Sequence, residues 1–237
     1  FSAGPAVISA NSPSGTLSSV TTTLNVPVTI SRVDATPNRL FHVTFQLANG
    51  LTLTGGTSGI VEGDYLNSSG ATTNLQVTDN GGGSYSVDGT ILGLPCNNVA
   101  TSGTLFTIPV SSSSASGTGT VTLTETTLRD CDNATLSSSI GTAASVSIDN
   151  TLPTVTVSSP NGGEFWAVGS SHDITWSASD NASVTTVDLA YSTDGGATYP
   201  NSIATGLSNS GTYAWTIPSN VSSTVRVRVS AHDPAGN

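Results

Sequence analysis

Short runs in which apolar residues alternate with Ser, Thr or Asn recur along this chain, and they leave it little choice but β-structure. Leu24-Asn25-Val26-Pro27-Val28-Thr29-Ile30, residues 40–47, Gly119-Thr120-Val121-Thr122-Leu123-Thr124 and Val225-Arg226-Val227-Arg228-Val229 all follow the pattern. A period of two gives each run one buried and one wet face. Gly-rich turns separate the runs. Leu75-Gln76-Val77-Thr78 and residues 84–89 flank Asp79-Asn80-Gly81-Gly82-Gly83, a strong hairpin signal. The chain has no Lys and is rich in Thr, Val and Gly, a composition that favours strands and turns over helices. Many short strands with frequent turn signals imply an all-β sandwich or barrel.

The 237 residues suffice for one large or two ordinary domains. The divide falls at Ser147-Ile148-Asp149-Asn150-Thr151-Leu152-Pro153, where an apolar strand end meets Asp-Asn and then a Pro that cannot continue a ladder. The expected organisation is domain 1–148, linker 149–153 and domain 154–237, two β-sandwiches in tandem.

Charged residues make up 8% of the chain, against roughly 25% in an average globular domain. The net charge of −10, with five scattered arginines, argues against nucleic acid, which needs clustered cations. An acidic balance fits divalent cations or plain solubility. No stretch is long and apolar enough to span a bilayer. A start at Phe1 rather than Met reads as a processed or excised segment. Cys96 and Cys131 are an even pair without C-x-x-C spacing, which disfavours zinc. They read as a disulfide between two loops, and hence an oxidising, extracytoplasmic compartment; the alternative is two buried thiols.

Residues 41–53 with Gly63-Asp64-Tyr65-Leu66 resemble the early strands of cohesin-like modules. Residues 103–110, 117–123 and Leu128-Arg129-Asp130 resemble their later strands. The resemblance covers most of residues 5–148 and implies a nine-stranded jelly-roll sandwich related to carbohydrate-binding modules. Cohesins bind dockerins through one sheet face, but no residue here matches a diagnostic contact set, so the fold carries over and the partner does not. The Cys pair departs from the family pattern; it would tie the loop after Leu94-Pro95 to the loop after Leu128.

Residues 154–237 resemble an immunoglobulin-like (fibronectin-III-like) module common in large prokaryotic surface proteins. Ser159-Pro160-Asn161-Gly162-Gly163-Glu164-Phe165-Trp166, Ile174-Thr175-Trp176, residues 191–199, 211–218 and 225–231 carry the likeness. Trp176 and Trp215 are expected in the core, and Asp194-Gly195-Gly196 in a hairpin turn. A sugar-stacking platform is the functional alternative for the Trp and Tyr residues. In such a sandwich the start of strand A, the B–C loop and the F–G loop share one end. That would gather Asp149, Asn150, Asp180 and Asp233 into a calcium site at the domain joint, with Asp130 and Asp132 as further candidates; the competing reading is that these are turn-forming Asx residues. The module also lacks its last strand, G. The expectation is a cut from a longer protein; the sharper alternative is a strand donated by another copy, with residues 1–10 as candidate donor.

No G-x-S-x-G, H-E-x-x-H or P-loop occurs, and His42, His172 and His232 are far apart. Only Glu62, Glu125 and Glu164 are glutamates, and no carboxylate pair is singled out for glycoside chemistry. Four N-x-S/T sequons, at Asn67, Asn133, Asn181 and Asn220, are expected by chance in so Ser/Thr-rich a chain. The expected function is therefore a non-catalytic extracellular structural or adhesive segment of a surface layer, fibre or appendage coat, self-assembling or associating with other surface proteins. The alternative is a carbohydrate-binding or scaffolding module attached to a secreted enzyme, which a row of exposed aromatics on one sheet face would mark.

Overall fold

The computed structural model describes residues 4–68, 70–93, 96, 100–219 and 222–237. Leu94-Pro95, Ser69, Asn220-Val221 and the first three residues of the expected donor segment lie outside that description. Two compact units emerge, residues 1–150 and 151–237.

The first unit is a sandwich of two sheets. Its strands are β1 (Ala6–Ala10), β2 (Thr16–Leu17), β3 (Leu24–Ser31), β4 (Asn38–Ala48), β5 (Leu51–Leu53), β6 (Val61–Glu62), β7 (Thr73–Gly81), β8 (Ser84–Ile91), β9 (Ser102–Ser112), β10 (Ser116–Asp130), β11 (Thr135–Leu136), β12 (Ser138–Ile140) and β13 (Ala144–Asp149). One sheet runs β12-β1-β3-β9-β5, with β6 also on β9. The other runs β2-β13-β10-β4-β8-β7, with β11 on β10. The alternating residues do what their period requires. Val26, Val28 and Ile30 of β3 pack with Phe41, Val43 and Phe45 of β4 in one core. Phe106 crosses the sandwich, its ring centroid 5.9 Å from Phe41 and 6.2 Å from Phe45.

Pro27 sits inside paired strand β3. Asn11 N–H donates to Pro27 O just past the last β1–β3 pair, Ala10↔Val28. Carbonyl and amide of a strand residue point the same way, so the missing N–H of Pro27 faces the side that β1 has already left. The β7–β8 hairpin turns at Gly82 and Gly83, both at positive φ (61° and 82°), the conformation a two-residue primed turn demands.

Gly89 faces Phe41 across β4 and β8, and a Cβ there would lie 2.2 Å from Phe41 Cε1. We expect Gly89→Ala to cost about 1–3 kcal/mol, because the ring must leave its packed position. Chemical denaturation of the first unit checks this; an unchanged midpoint would show that the ring shifts freely.

The second unit holds β14 (Thr154–Ser159), β15 (Ser171–Ser179), β16 (Thr186–Ser192), β17 (Asn201–Leu207), β18 (Thr212–Thr216) and β19 (Arg226–His232). They form two three-stranded sheets, β14-β15-β18 and β17-β16-β19. Ile174, Trp176, Leu189, Tyr191, Trp215 and Val229 make the core. Trp176 Nε1 donates to Asn209 Oδ1 at 3.1 Å, which satisfies its one polar atom. Trp166, left open by the sequence, stacks on His172 at 4.5 Å and meets Trp215 edge-on. No strand beyond β19 is present among the described residues.

Two expectations change. Asp149 and Asn150 were assigned to the linker, but Asp149 closes β13. Asn150 N–H donates to Ala115 O, and its carboxamide donates to Ser112 O and Ser114 O. The proposed donor segment is also committed. Residues 6–10 form β1, antiparallel to β3 and parallel to β12, with Ile8 fully buried; extracting it would open the first unit's own core.

Candidate functional site

Asp180 follows β15 and Asp233 follows β19. These positions share one end of the second unit because β16 and β19 pair antiparallel there: Thr186 opposes His232, and Thr185 N–H donates to His232 O. One carboxylate oxygen of each aspartate lies within 4.8 Å of the other's. Asp180 Oδ2 accepts from Ala182 N–H at 2.8 Å, while Oδ1 is buried with no hydrogen-bond partner among the described residues. The Asp233 carboxylate is buried and accepts both the backbone N–H and the Nδ2 of Asn237, at 2.8 and 2.9 Å. Asn237 is the participant whose role the sequence does not reveal; the chain must curl through Pro234, Ala235 and Gly236 to bring it back. These are hard oxygen donors, the kind calcium takes.

The other nominated residues are placed as follows. Asp149 is buried at the end of β13 in the first unit. Asn150 uses its carboxamide as a donor within the same unit, as described. Asp130 Oδ1 accepts from Asp132 N–H and Ala134 N–H, so it builds the β10–β11 turn, and Asp132 is an exposed turn residue. Cys96 and Cys131 form a disulfide with Cα atoms 5.7 Å apart, tying the segment after β8 to that same turn. The two free thiols weighed as an alternative are not found.

The Asx reading holds widely. Asp194 accepts from Ser192 Oγ, Thr198 Oγ1 and Thr198 N–H, and these bonds, Ser192's foremost, hold its carboxyl far below the usual range. Glu164 is lowered by the backbone N–H groups of Asn161 and Gly162 in the β14–β15 connection.

A hydrogen-bonded relay lies on the outer face of the first unit. His42 Nδ1 is 2.8 Å from Asp88, and its Nε2 is 3.2 Å from Thr44 Oγ1. The order is that of an acid–base–hydroxyl chain. However, β4 is paired along both edges, with β10 and β8. Its backbone N–H groups are spent on ladders, so none is turned toward an oxyanion beside Thr44.

A cleft of about 450 Å³ in the first unit, lined by Ile60, Val61, Leu75 and Val77, holds no aromatic; the aromatics line another, of about 670 Å³, in the second unit, with Val157, Trp166, Trp215, Val227, Phe165 and Arg226 around it. Phe165 is 99% exposed, but it sits in a connection, not on a sheet face. Tyr85, Tyr199 and Tyr213 are half-buried, so no row of exposed aromatics forms among the described residues.

Comparison with known proteins agrees with the two folds. A model of the Kre9/KNH-like N-terminal Ig-like domain matches residues 159–231. A solved type II cohesin–X–dockerin complex from Acetivibrio cellulolyticus matches with a TM-score of 0.50 at 14% identity, over 61% of this chain and 99% of that one. A non-cellulosomal cohesin from the archaeon Archaeoglobus fulgidus matches with a TM-score of 0.44 at 17% identity, over 61% and 91%. No curated protein matches. The protein is thus all-β, with cohesin-like and Ig-like sandwich folds. No helix among the described residues is long and apolar enough to cross a membrane.

Proposed function

We propose that this chain is a non-catalytic structural or adhesive segment displayed outside the cytoplasm, stiffened by calcium and assembling with further copies or other surface proteins. The observation that carries this reading is the Cys96–Cys131 disulfide, a covalent staple suited to an oxidising compartment. Asp34, Asp79, Asp130, Asp188, Asp194 and Asp233 each accept a backbone N–H. Five of these bonds span two to four residues and hold turns, and that of Asp188 ties β16 to β17. The cohesin likeness contributes a sandwich fold, and it leaves the partner open. Negative-stain microscopy of native material, with calcium and with chelator, tests the reading. Ordered fibres or sheets that loosen on chelation are the expected result; monodisperse particles in both conditions would overturn it.

Asp180 and Asp233 are the carboxylates we propose for the calcium. The buried Oδ1 of Asp180, without a partner among the described residues, supports the first of these. Calcium at about 100 times its dissociation constant should add about 2.7 kcal/mol to stability. Asp180→Asn should abolish that gain. Tryptophan fluorescence reads it directly, since all three tryptophans lie in the second unit. Identical melts with calcium and chelator would sink the site.

One observation favours a second reading, a carbohydrate-binding module: the cleft walled by Trp166 and Trp215 beneath exposed Phe165. A polysaccharide screen in which Phe165→Ala loses binding would support it.

A further inference from the structure

We propose that Asn133 is a site of N-linked glycosylation, taking its sugar from a polyprenyl-phosphate-linked or pyrophosphate-linked oligosaccharide. The inference rests on the extracytoplasmic reading above. An Asn-x-Thr sequon is common by chance, so its surroundings decide. Two of the four sequons include residues outside the description, Ser69 and Asn220-Val221. Asn181 is already engaged and flanks Asp180. Asn133-Ala134-Thr135 stands apart. Asp132, Asn133, Ala134 and Thr135 are all exposed. Asn133 has a positive φ of 66°, at the tip of the β10–β11 turn.

The turn does not depend on the Asn133 side chain. Its backbone N–H donates to Asp130 O, its carbonyl accepts from Arg129 Nη1, and Asp130 Oδ1 holds the amides of Asp132 and Ala134. The carboxamide makes no hydrogen bond among the described residues, so a glycan on Nδ2 displaces none of their contacts. The next residue but one toward the N-terminus is Cys131, so the sugar would stand over the Cys96–Cys131 bridge. In the transfer, Nδ2 bonds to C1 of the sugar as the C1–O bond to the lipid phosphate breaks. The lipid leaves as its phosphate or pyrophosphate, and the amide nitrogen gives up one proton.

The test is peptide mapping of protein isolated from cells that make it. Cleavage after glutamate, at Glu125 and Glu164, yields a peptide of residues 126–164 that contains Asn133 as its one sequon. We expect that peptide to carry added sugar mass, lost entirely in both Asn133→Gln and Thr135→Ala. An unmodified peptide overturns the inference, as does sugar mass that survives Asn133→Gln. The same digest shows whether Cys131 is bridged to Cys96. A bridged but unglycosylated peptide removes the glycan and leaves the extracytoplasmic reading; free thiols without sugar remove both.

Discussion

Replacing Arg32 with methionine lowers the stability of the first unit by about 3–5 kcal/mol, the range for breaking a buried charged network by removing one partner. Arg32 follows β3 and is 5% exposed. One guanidinium nitrogen donates to Tyr65 Oη at 2.8 Å; the other donates to Asp34 Oδ1 and to Thr36 O. Methionine fills much of the volume but leaves the Tyr65 hydroxyl without its partner in a site where Tyr65 is 1% exposed. Adding Tyr65→Phe to Arg32→Met should therefore return about 1–2 kcal/mol, since the orphaned hydroxyl is then removed. Far-UV dichroism reports both units, so a loss seen there while tryptophan fluorescence, confined to the second, does not move isolates the first. A single variant as stable as the parent would show that solvent reaches the site.

The same network predicts an acid dependence. The hydrogen bond from Arg32 holds the Asp34 carboxyl below its ordinary value. A depressed folded-state value means that the contribution is complete above the unfolded value, about 3.9, and is lost as pH falls through the folded one. In Arg32→Met the share of this acid sensitivity owed to Arg32 should vanish, while the Thr36 N–H that also donates to Asp34 still lowers its carboxyl. Asp34 is partly exposed, so the effect is modest beside the loss of Arg32 itself.

The strands of the second unit are legible because each alternating run is bounded by turn residues: the stretch 225–231 is observed as β19, Arg226–His232. The immunoglobulin-like resemblance, which puts the B–C and F–G loops at one end, implied that Asp180 and Asp233 lie together. What could not be read depends on partners distant in sequence. β12 and β2 are two or three residues long and pair parallel with β1 and β13, too short to show a period. Asn150 looks like a linker residue because Pro153 follows closely, yet its partners, Ser112 and Ser114, lie 38 and 36 residues away. The segment at residues 6–10 looked available for donation because an apolar strand carries no mark of which edge it will join. Arg32 is the sharpest case. Charge predicts exposure; Asp34 and Thr36 satisfy one side of the guanidinium locally, but its other nitrogen is satisfied by Tyr65, 33 residues on.

Removing the Cys96–Cys131 bridge, in the double variant Cys96→Ser with Cys131→Ser, should cost the first unit about 4 kcal/mol. The two cysteines are 35 residues apart, and cross-linking a loop of that size restricts the unfolded chain by about that amount. The loop contains β9 and β10, one from each sheet. In the unfolded chain the bridge keeps these two strands within reach; without it, the core between β3–β9 and β4–β10 must be closed from a much larger ensemble. The effect should therefore appear chiefly as slower refolding, with unfolding changed less, because the penalty lies in the open chain and the half-buried cysteines contribute little packing. Double-jump refolding followed by far-UV dichroism separates the two rates. Faster unfolding at unchanged refolding would instead place the stabilisation in native contacts around the bridge, at the turn organised by Asp130.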